Sequence, residues 1–319
     1  MIFSKEIAPD YNFNVKDFSA SNRLTNGNFL FNQTFFLVHI QQKPFFSFEL
    51  WHTKRQQCSA LLHVFVNNGV AVSPWRATFG GIEILTSVEL NILNAFVKCI
   101  DLYLASQQIS AVKLTNYAYG YDPIAASHIT EALVYNGYEI STTETNYHIS
   151  VTSEPLEKRI HNSERRRLHK CRTAELICQE ETKPDLPAIY AFISRARARK
   201  GFPISLDLQA FMRLFEQMPG IYRVFTARQG DTIAALTVTV RISEQILYNF
   251  YPADNESFLT YSPTVLIISE LYQLAQREGY TMLDLGIATV NGQPNPGLVR
   301  FKTNLGAQPS SRLTMKKLL

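Results

Sequence analysis

The stretch from Gln245 to Ala307, QILYNFYPADNESFLTYSPTVLIISELYQLAQREGYTMLDLGIATVNGQPNPGLVRFKTNLGA, constrains the fold more than any other part of this chain. Val265, Ile268, Leu271, Tyr272 and Ala275 recur at intervals of three and four, which predicts a helix with one stripe facing a core. Met282 to Leu285 has the short apolar character of a buried strand. Pro263 sits where a first helical turn tolerates a missing N–H, and Gly279 where a helix ends in a positive φ. The order strand, polar loop, helix, strand therefore predicts a helix packed on a sheet. The loop delivered to that helix's N-terminus is a natural place for substrate.

Upstream, the chain alternates strands and helices. FLFNQTFFLVHI and PFFSFEL within residues 29 to 51 read as two strands joined by a tight turn at QQK, and a third strand follows from Ala60 to Val66. Next come a short strand entering the Pro- and Gly-marked loop GVAVSPWRATFGGIEI, a helix from Val88 to Leu104, the strand SAVKLTN, a helix from Pro123 to Tyr135, and the strand YEISTTETNYHISV. Arg159, Arg165, Arg166, Arg167, Lys170 and Arg172 then crowd onto one predicted helix, which gives way to a strand at Leu176 to Gln179. Two more helices are expected at Asp185 to Lys200 and Ser205 to Gln217, the second with Ser205 as N-cap and Asp207 in its first turn. Tyr222 to Ala227, Ile233 to Val240 and Ile246 to Tyr251 read as an antiparallel meander that shares a sheet with Leu283 to Leu285.

The two halves repeat one another. Each has a strand running into Ser-Pro (Ser73-Pro74, Ser262-Pro263), a helix, a strand (Val112 to Thr115, Leu283 to Leu285), a short helix, and a glycine before a last strand (Gly137, Gly306). Chance recurrence of common α/β parts would give the same order. The halves differ in charge: residues 1 to 157 hold 9 Lys/Arg against 13 Asp/Glu, and residues 158 to 319 hold 22 against 14, so they carry −4 and +8. A basic second half suits an anionic ligand, although solvated helix faces account for the same excess.

Other classes fit poorly. Four scattered cysteines make no disulfide framework or zinc spacing, which favours a reducing, cytoplasmic location. No run of eighteen apolar residues and no secretory leader are legible. HExxH, GxSxG, Walker and dinucleotide motifs are absent, and no metal is expected.

TYSPTVLIISELYQLAQREGYTMLDLG followed by LVRFKTNLGA resembles the C-terminal half of a GNAT-type acyltransferase domain, and more closely the Fem-like branch, which carries two such domains in tandem. The resemblance implies an α/β (α+β) fold of two GNAT-like domains, each a mixed, mostly antiparallel sheet flanked by helices. Their expected bounds are 29–153 and 154–319, after an N-terminal extension at 1–28. It also implies an N-acyltransferase or aminoacyltransferase acting on a small-molecule or peptide amine, with the transfer site in the second domain, an acceptor groove between domains and no required cofactor. The donor would be acyl-CoA or aminoacyl-tRNA. A catalytically silent scaffold that binds an acyl or nucleotide-linked ligand is the alternative. No long heptad segment matches the coiled-coil arm common among the family's peptidoglycan-bridge enzymes.

In that branch a Phe-Lys pair before the last glycine lies at the transfer site, which puts Phe301 and Lys302 there; a lysine covering the last helix from the surface is the plainer role. Asp284, at the end of its strand beside Gly286, would act as base or orient an amine, or simply bond loop amides. Tyr248, Asn249 and Tyr251 are expected to line a groove, Tyr248 on the face opposite Asn249. Tyr261 and Ser262 close the loop PADNESFLTYSP, which lacks the glycine-rich pyrophosphate cradle of coenzyme-A-dependent relatives, so weak binding of free acetyl-CoA is expected. The resemblance also implies that Trp75 and Arg76, on a loop with Pro74, Gly80 and Gly81, face the acceptor groove, where Arg76 would pair with phosphate or carboxylate; a decorated turn is the plainer role. The basic helix would contact tRNA or another anionic donor, or stand solvated.

Overall fold

A computed structural model describes residues 3–17, 24–40, 43–202, 204, 206–290 and 292–319. In chain order the elements begin with β1 (Phe3–Ala8), β2 (Tyr11–Asp17), β3 (Phe45–His52), β4 (Gln57–Asn67), β5 (Val70–Ser73) and β6 (Glu83–Ile84). They continue with α1 (Leu90–Ser106), β7 (Ala111–Thr115), α2 (Pro123–Tyr135) and β8 (Glu139–Ser150). After these come α3 (Leu156–Arg159), α4 (Asn162–Thr173), β9 (Ile177–Glu180), α5 (Leu186–Arg199), α6 (Leu208–Gln217), β10 (Tyr222–Gln229), β11 (Thr232–Arg241), β12 (Ile246–Asn249) and β13 (Ala253–Asp254). The last are α7 (Thr264–Glu278), β14 (Met282–Ile287), β15 (Thr289–Val290), β16 (Gln293–Pro294), α8 (Pro296–Asn304) and β17 (Gln308–Leu318).

Two compact units result, one of residues 1–145 with 310–319 and one of residues 146–309. In the first, the strand order is β1-β2-β3-β4-β5-β7-β17-β8; in the second it is β8-β14-β12-β11-β10-β9. The expected repeat has a structural counterpart: β5 pairs in parallel with β7, and β12 with β14, each pair bridged by a long helix (α1, α7). Parallel neighbours require such a crossover. Nearly all other pairings are antiparallel.

Three expectations need correction. Within the expected extension at 1–28, Phe3 to Asp17 belongs to the fold, because β1 and β2 pair with each other and β2 with β3, burying Phe13 and Val15. The run at 29 to 40 is not a strand: Leu30–Asn32 forms a 3-10 turn and Phe36–Ile40 a π-helical turn. Its aromatic content favours strands, but its buried residues, Phe29 to Asn32 and then Phe36 with Leu37, fall in consecutive runs rather than alternating. The boundary also differs from 153/154. β8 gives its first residues to the first unit and Asn146 to Ser150 to the second, while β17 pairs with β7 of the first unit rather than ending the second.

The second unit's core lies between α7 and one sheet face. Val265, Ile268, Leu271, Tyr272 and Ala275 are buried, as the periodicity predicts, and they join a cluster with Leu247, Ile149, Leu283 and Leu285. Gly279 ends α7 at φ +79°. Asp207 rather than Ser205 caps α6, accepting from Ala210 N at 2.7 Å; Ser205 itself lies outside the described residues, as do Gln41 and Gln42 of the expected turn. In the first unit, β2 and β3 stack Phe13 on Phe48 with centroids 5.8 Å apart, and Phe96 of α1 meets Phe13 edge-on.

Candidate active site

Leu283 and Leu285 point into the α7 core, so Asp284 between them points to the other face. Its neighbours in register are Tyr248 on β12 and His148 on β8. Pairing between the parallel strands stops at Tyr248 and Asp284, leaving β14 to continue alone beside β8 as far as Ile287. The C-terminal ends of parallel strands are where open α/β sheets place ligands. Asp284 is therefore not at a strand end, as expected, but at the point where two strands part.

A bulge follows immediately. Register shifts between Asp284 and Gly286, and Gly286 adopts φ +74°, a conformation glycine takes without strain. Asp284 Oδ1 accepts from the Gly286 N–H at 2.7 Å and from Asn146 Nδ2 at 2.9 Å. In a regular strand successive carbonyls alternate direction. Here the carbonyls of Gly286 and Ile287 both accept from one donor, Lys302 Nζ, at 2.8 and 2.7 Å. The Tyr248 ring covers Gly286 so closely that a Cβ there would meet ring and hydroxyl atoms at 3.2 Å.

Lys302, on α8, is only 5% exposed, and its ammonium lies 5.9 Å from the Tyr147 ring centroid. Burial pulls its pKa down to about 7, opposed by the nearby charge of Asp284. An ammonium has three protons, and the two carbonyls use two of them. His148 is also buried, which holds its pKa below the usual histidine range against the pull of Asp284, and its Nδ1 has no hydrogen-bond partner among the described residues.

The fold thus brings together Lys302, Asp284 and Tyr248. Phe301 is half-buried and packs against the core cluster beside Lys302. Asn249 faces the other way and is tied up: its Oδ1 accepts from Thr237 Oγ1 at 2.5 Å. Tyr251 lies beyond β12, against Phe250 and with the Arg197 guanidinium 5.4 Å from its ring. Neither lines the Lys302 cluster, because the strand is two residues shorter than expected and its faces alternate. Tyr261 and Ser262 precede α7; Ser262 has φ +56°, and the Tyr261 ring lies 4.9 Å from the Lys170 ammonium. Trp75 and Arg76 belong to the first unit, where Lys43 Nζ sits 3.5 Å from the Trp75 centroid and Arg76 5.8 Å away.

The expected single basic helix is two: Arg159 ends α3 and Arg165 to Arg172 lie on α4, and much of this basic stretch is engaged within the unit. Arg159 donates to Tyr272 Oη at 2.8 Å, Arg167 to both oxygens of Glu164, Arg172 to Glu157, and Lys170 to the Thr260 carbonyl. Asn146, Tyr147 and His148 were missed as site residues. The alternation Asn-Tyr-His-Ile gives one face of β8 two polar groups and was the available signal. Among the described residues no group of three or more metal-ligating side chains occurs, and no helix is long and apolar enough to cross a membrane.

Residues 158–302 match the family model described as an acetyltransferase (GNAT) domain. No curated protein matches the sequence. Among solved structures, FemX superposes with a TM-score of 0.69 at 10% identity, covering 94% of each chain. The C-terminal domain of a putative lysylphosphatidylglycerol synthetase from Agrobacterium fabrum gives 0.55 at 12% identity over 81% of each chain. A tandem GNAT protein from the clavulanic acid biosynthesis pathway gives 0.52 at 11% identity over 92% of this chain and 90% of that one. The second half of the chain is accordingly similar to a GNAT domain. Over its whole length the chain shares the fold of FemX and of that tandem GNAT protein, a mixed α/β arrangement of mostly antiparallel sheet flanked by helices.

Proposed function

We propose that the second unit transfers an acyl or aminoacyl group to an amine, with Lys302 stabilising the oxyanion. The observation that carries this reading is the buried Lys302 ammonium, fixed by two carbonyls where β12 and β14 part. The amine nitrogen attacks the donor's carbonyl carbon, a C–N bond forms, and the ester C–O or thioester C–S bond breaks. Between these events the carbonyl oxygen carries negative charge, and the third Nζ proton is the donor suited to meet it; such donors lower a barrier by roughly 3 kcal/mol. The amine must also lose a proton. Asp284 Oδ1 already accepts two hydrogen bonds, which suits it to orienting, whereas His148, whose pKa burial lowers and whose Nδ1 has no hydrogen-bond partner among the described residues, suits the proton.

The likeness to FemX and to a lysylphosphatidylglycerol synthetase domain favours an aminoacyl donor, and the absent glycine cradle before α7 points the same way. Trp75 and Arg76 of the first unit remain candidates for binding a small-molecule or peptide amine, and the setting we propose is cytoplasmic. A silent scaffold has one observation in its favour: the two bonds of Lys302 also satisfy carbonyls that the bulge turns away from the ladder.

The experiment incubates the protein with aminoacyl-tRNA, acetyl-CoA or longer acyl thioesters and amine acceptors, with products read by mass spectrometry. With the active pair, Lys302→Met should keep the fold and lower turnover by about two to three orders of magnitude, with a smaller change in KM. Unchanged turnover in a folded Lys302→Met protein would overturn the role given to this residue.

A further inference from the structure

The exposed side of α8 differs from its Lys302 side. Gly297, Arg300, Phe301 and Asn304 recur at helical spacing and face Ser163, Glu164 and Arg167 of α4 across an open groove of about 440 Å³. Asn304 Nδ2 approaches Ser163 Oγ and Glu164 Oε1 at 3.4 Å each, which marks the groove floor. Glu164 is fully buried, and its two oxygens take Arg167 Nη1 at 2.8 and 3.0 Å. That pair fixes the guanidinium and leaves Arg167 Nη2 and Nε without a partner among the described residues. Arg300 makes no hydrogen bond or ion pair among the described residues and is exposed.

The charge balance is positive. One arginine is offset by Glu164 and the other by no carboxylate among the described residues, and the first turns of two helices add partial positive charge. A fork held by a buried carboxylate and a second, free fork across the groove is an arrangement suited to phosphate oxygens. The volume exceeds what a lone ion needs. Phe301 contributes to this groove, and the next residue on the helix is Lys302.

We propose that the groove between α4 and α8 binds a phosphate group of the donor at a point removed from the bond that reacts. This rests on the acyl-transfer reading and adds to it. Binding energy collected there would hold the donor while its carbonyl meets Lys302, a use of remote contacts that raises turnover as well as affinity. It also gives part of the basic helix a role beyond its ion pairs. The phosphate has two possible sources, a coenzyme thioester or the 3′ end of an RNA.

The test is calorimetric titration of the full chain with adenosine 3′,5′-bisphosphate and, separately, with a short single-stranded RNA ending in CCA. At least one should bind, with affinity falling as salt rises. Arg300→Ala, at an exposed position, should weaken that binding about tenfold or more with an unchanged melting temperature, and Arg300→Lys should restore part of it. Response of the bisphosphate alone identifies the coenzyme source, and response of the RNA alone the nucleic-acid source. Lys302→Met should bind the same probe as the unaltered protein does. Equal affinity in Arg300→Ala, or no binding of either probe, would overturn the groove assignment whatever the fate of Lys302. Loss of binding in Arg300→Ala together with full turnover in Lys302→Met would leave the groove standing and remove the catalytic role.

Discussion

Lys302 carries a burial cost that pH can relieve. Its pKa falls from 10.5 in an unfolded chain to about 7 in the folded one, chiefly through desolvation. Between those values the unfolded state holds a proton that the folded state has released, so stability rises with pH across that window; below about pH 7 both states are protonated and the full cost is present. Lys302→Met removes this contribution. Melting temperatures followed from pH 7 to 10 should therefore show the unaltered protein gaining on Lys302→Met as pH rises. Parallel profiles would mean the ammonium is not depressed. This lysine was legible because Phe301, Lys302 and Gly306 stand close together in sequence. Its surroundings were not: Asn146 reaches Asp284 across 138 positions, and only strand pairing decides that separation. Asn249 and Tyr251 were misassigned for a related reason, since alternation tells which residues share a face but not what covers that face.

At the scale of elements, the bulge in β14 turns an ordinary strand into a lysine-holding device. Gly286→Ala should be costly there, because φ +74° strains an alanine and its Cβ would press on Tyr248 at 3.2 Å. We expect a loss of about 1–3 kcal/mol in denaturant unfolding, with activity falling further as the two carbonyls move off Nζ. A loss under half a kcal/mol would show that the bulge is not fixed by glycine. Helices with explicit start and stop signals were the readable elements: α2 runs from Pro123 to Tyr135 as expected, with Asp122 capping Ala125 N. The segment at 30 to 40 was not readable. What sets it is burial around Glu83, whose carboxylate takes Asn32 Nδ2 at 2.9 Å and the Asn28 and Phe29 amides. No local pattern announces a partner some fifty residues away.

The whole molecule is two repeats with their final strands redistributed. β8, which closes the first repeat, supplies Asn146 and His148 to the second unit's site, while β17, which closes the second, pairs with β7. The tandem pattern was visible in sequence because each repeat keeps its order of strand, helix and strand. The exchange was not, because a last strand looks the same whichever neighbour it joins. Removing residues 310–319 should loosen the first unit, which loses the Arg312–Glu144 pair at 2.5 Å and the Lys317–Asp101 pair at 2.6 Å. Hydrogen exchange should quicken in β7 and in Glu139 to Thr145 and stay slow in β10 and β11. Faster exchange confined to the second unit would contradict this pairing. The same path of the chain bears on its birth at the ribosome. A first half made on its own would normally fold while the rest is still being translated, yet here its sheet waits for the eleven residues of β17. At about 5–20 residues per second, the stretch beyond β8 takes on the order of ten to thirty seconds to make. Throughout that interval β7 would lack the neighbour that β17 supplies, an unpaired strand edge that the finished fold does not have.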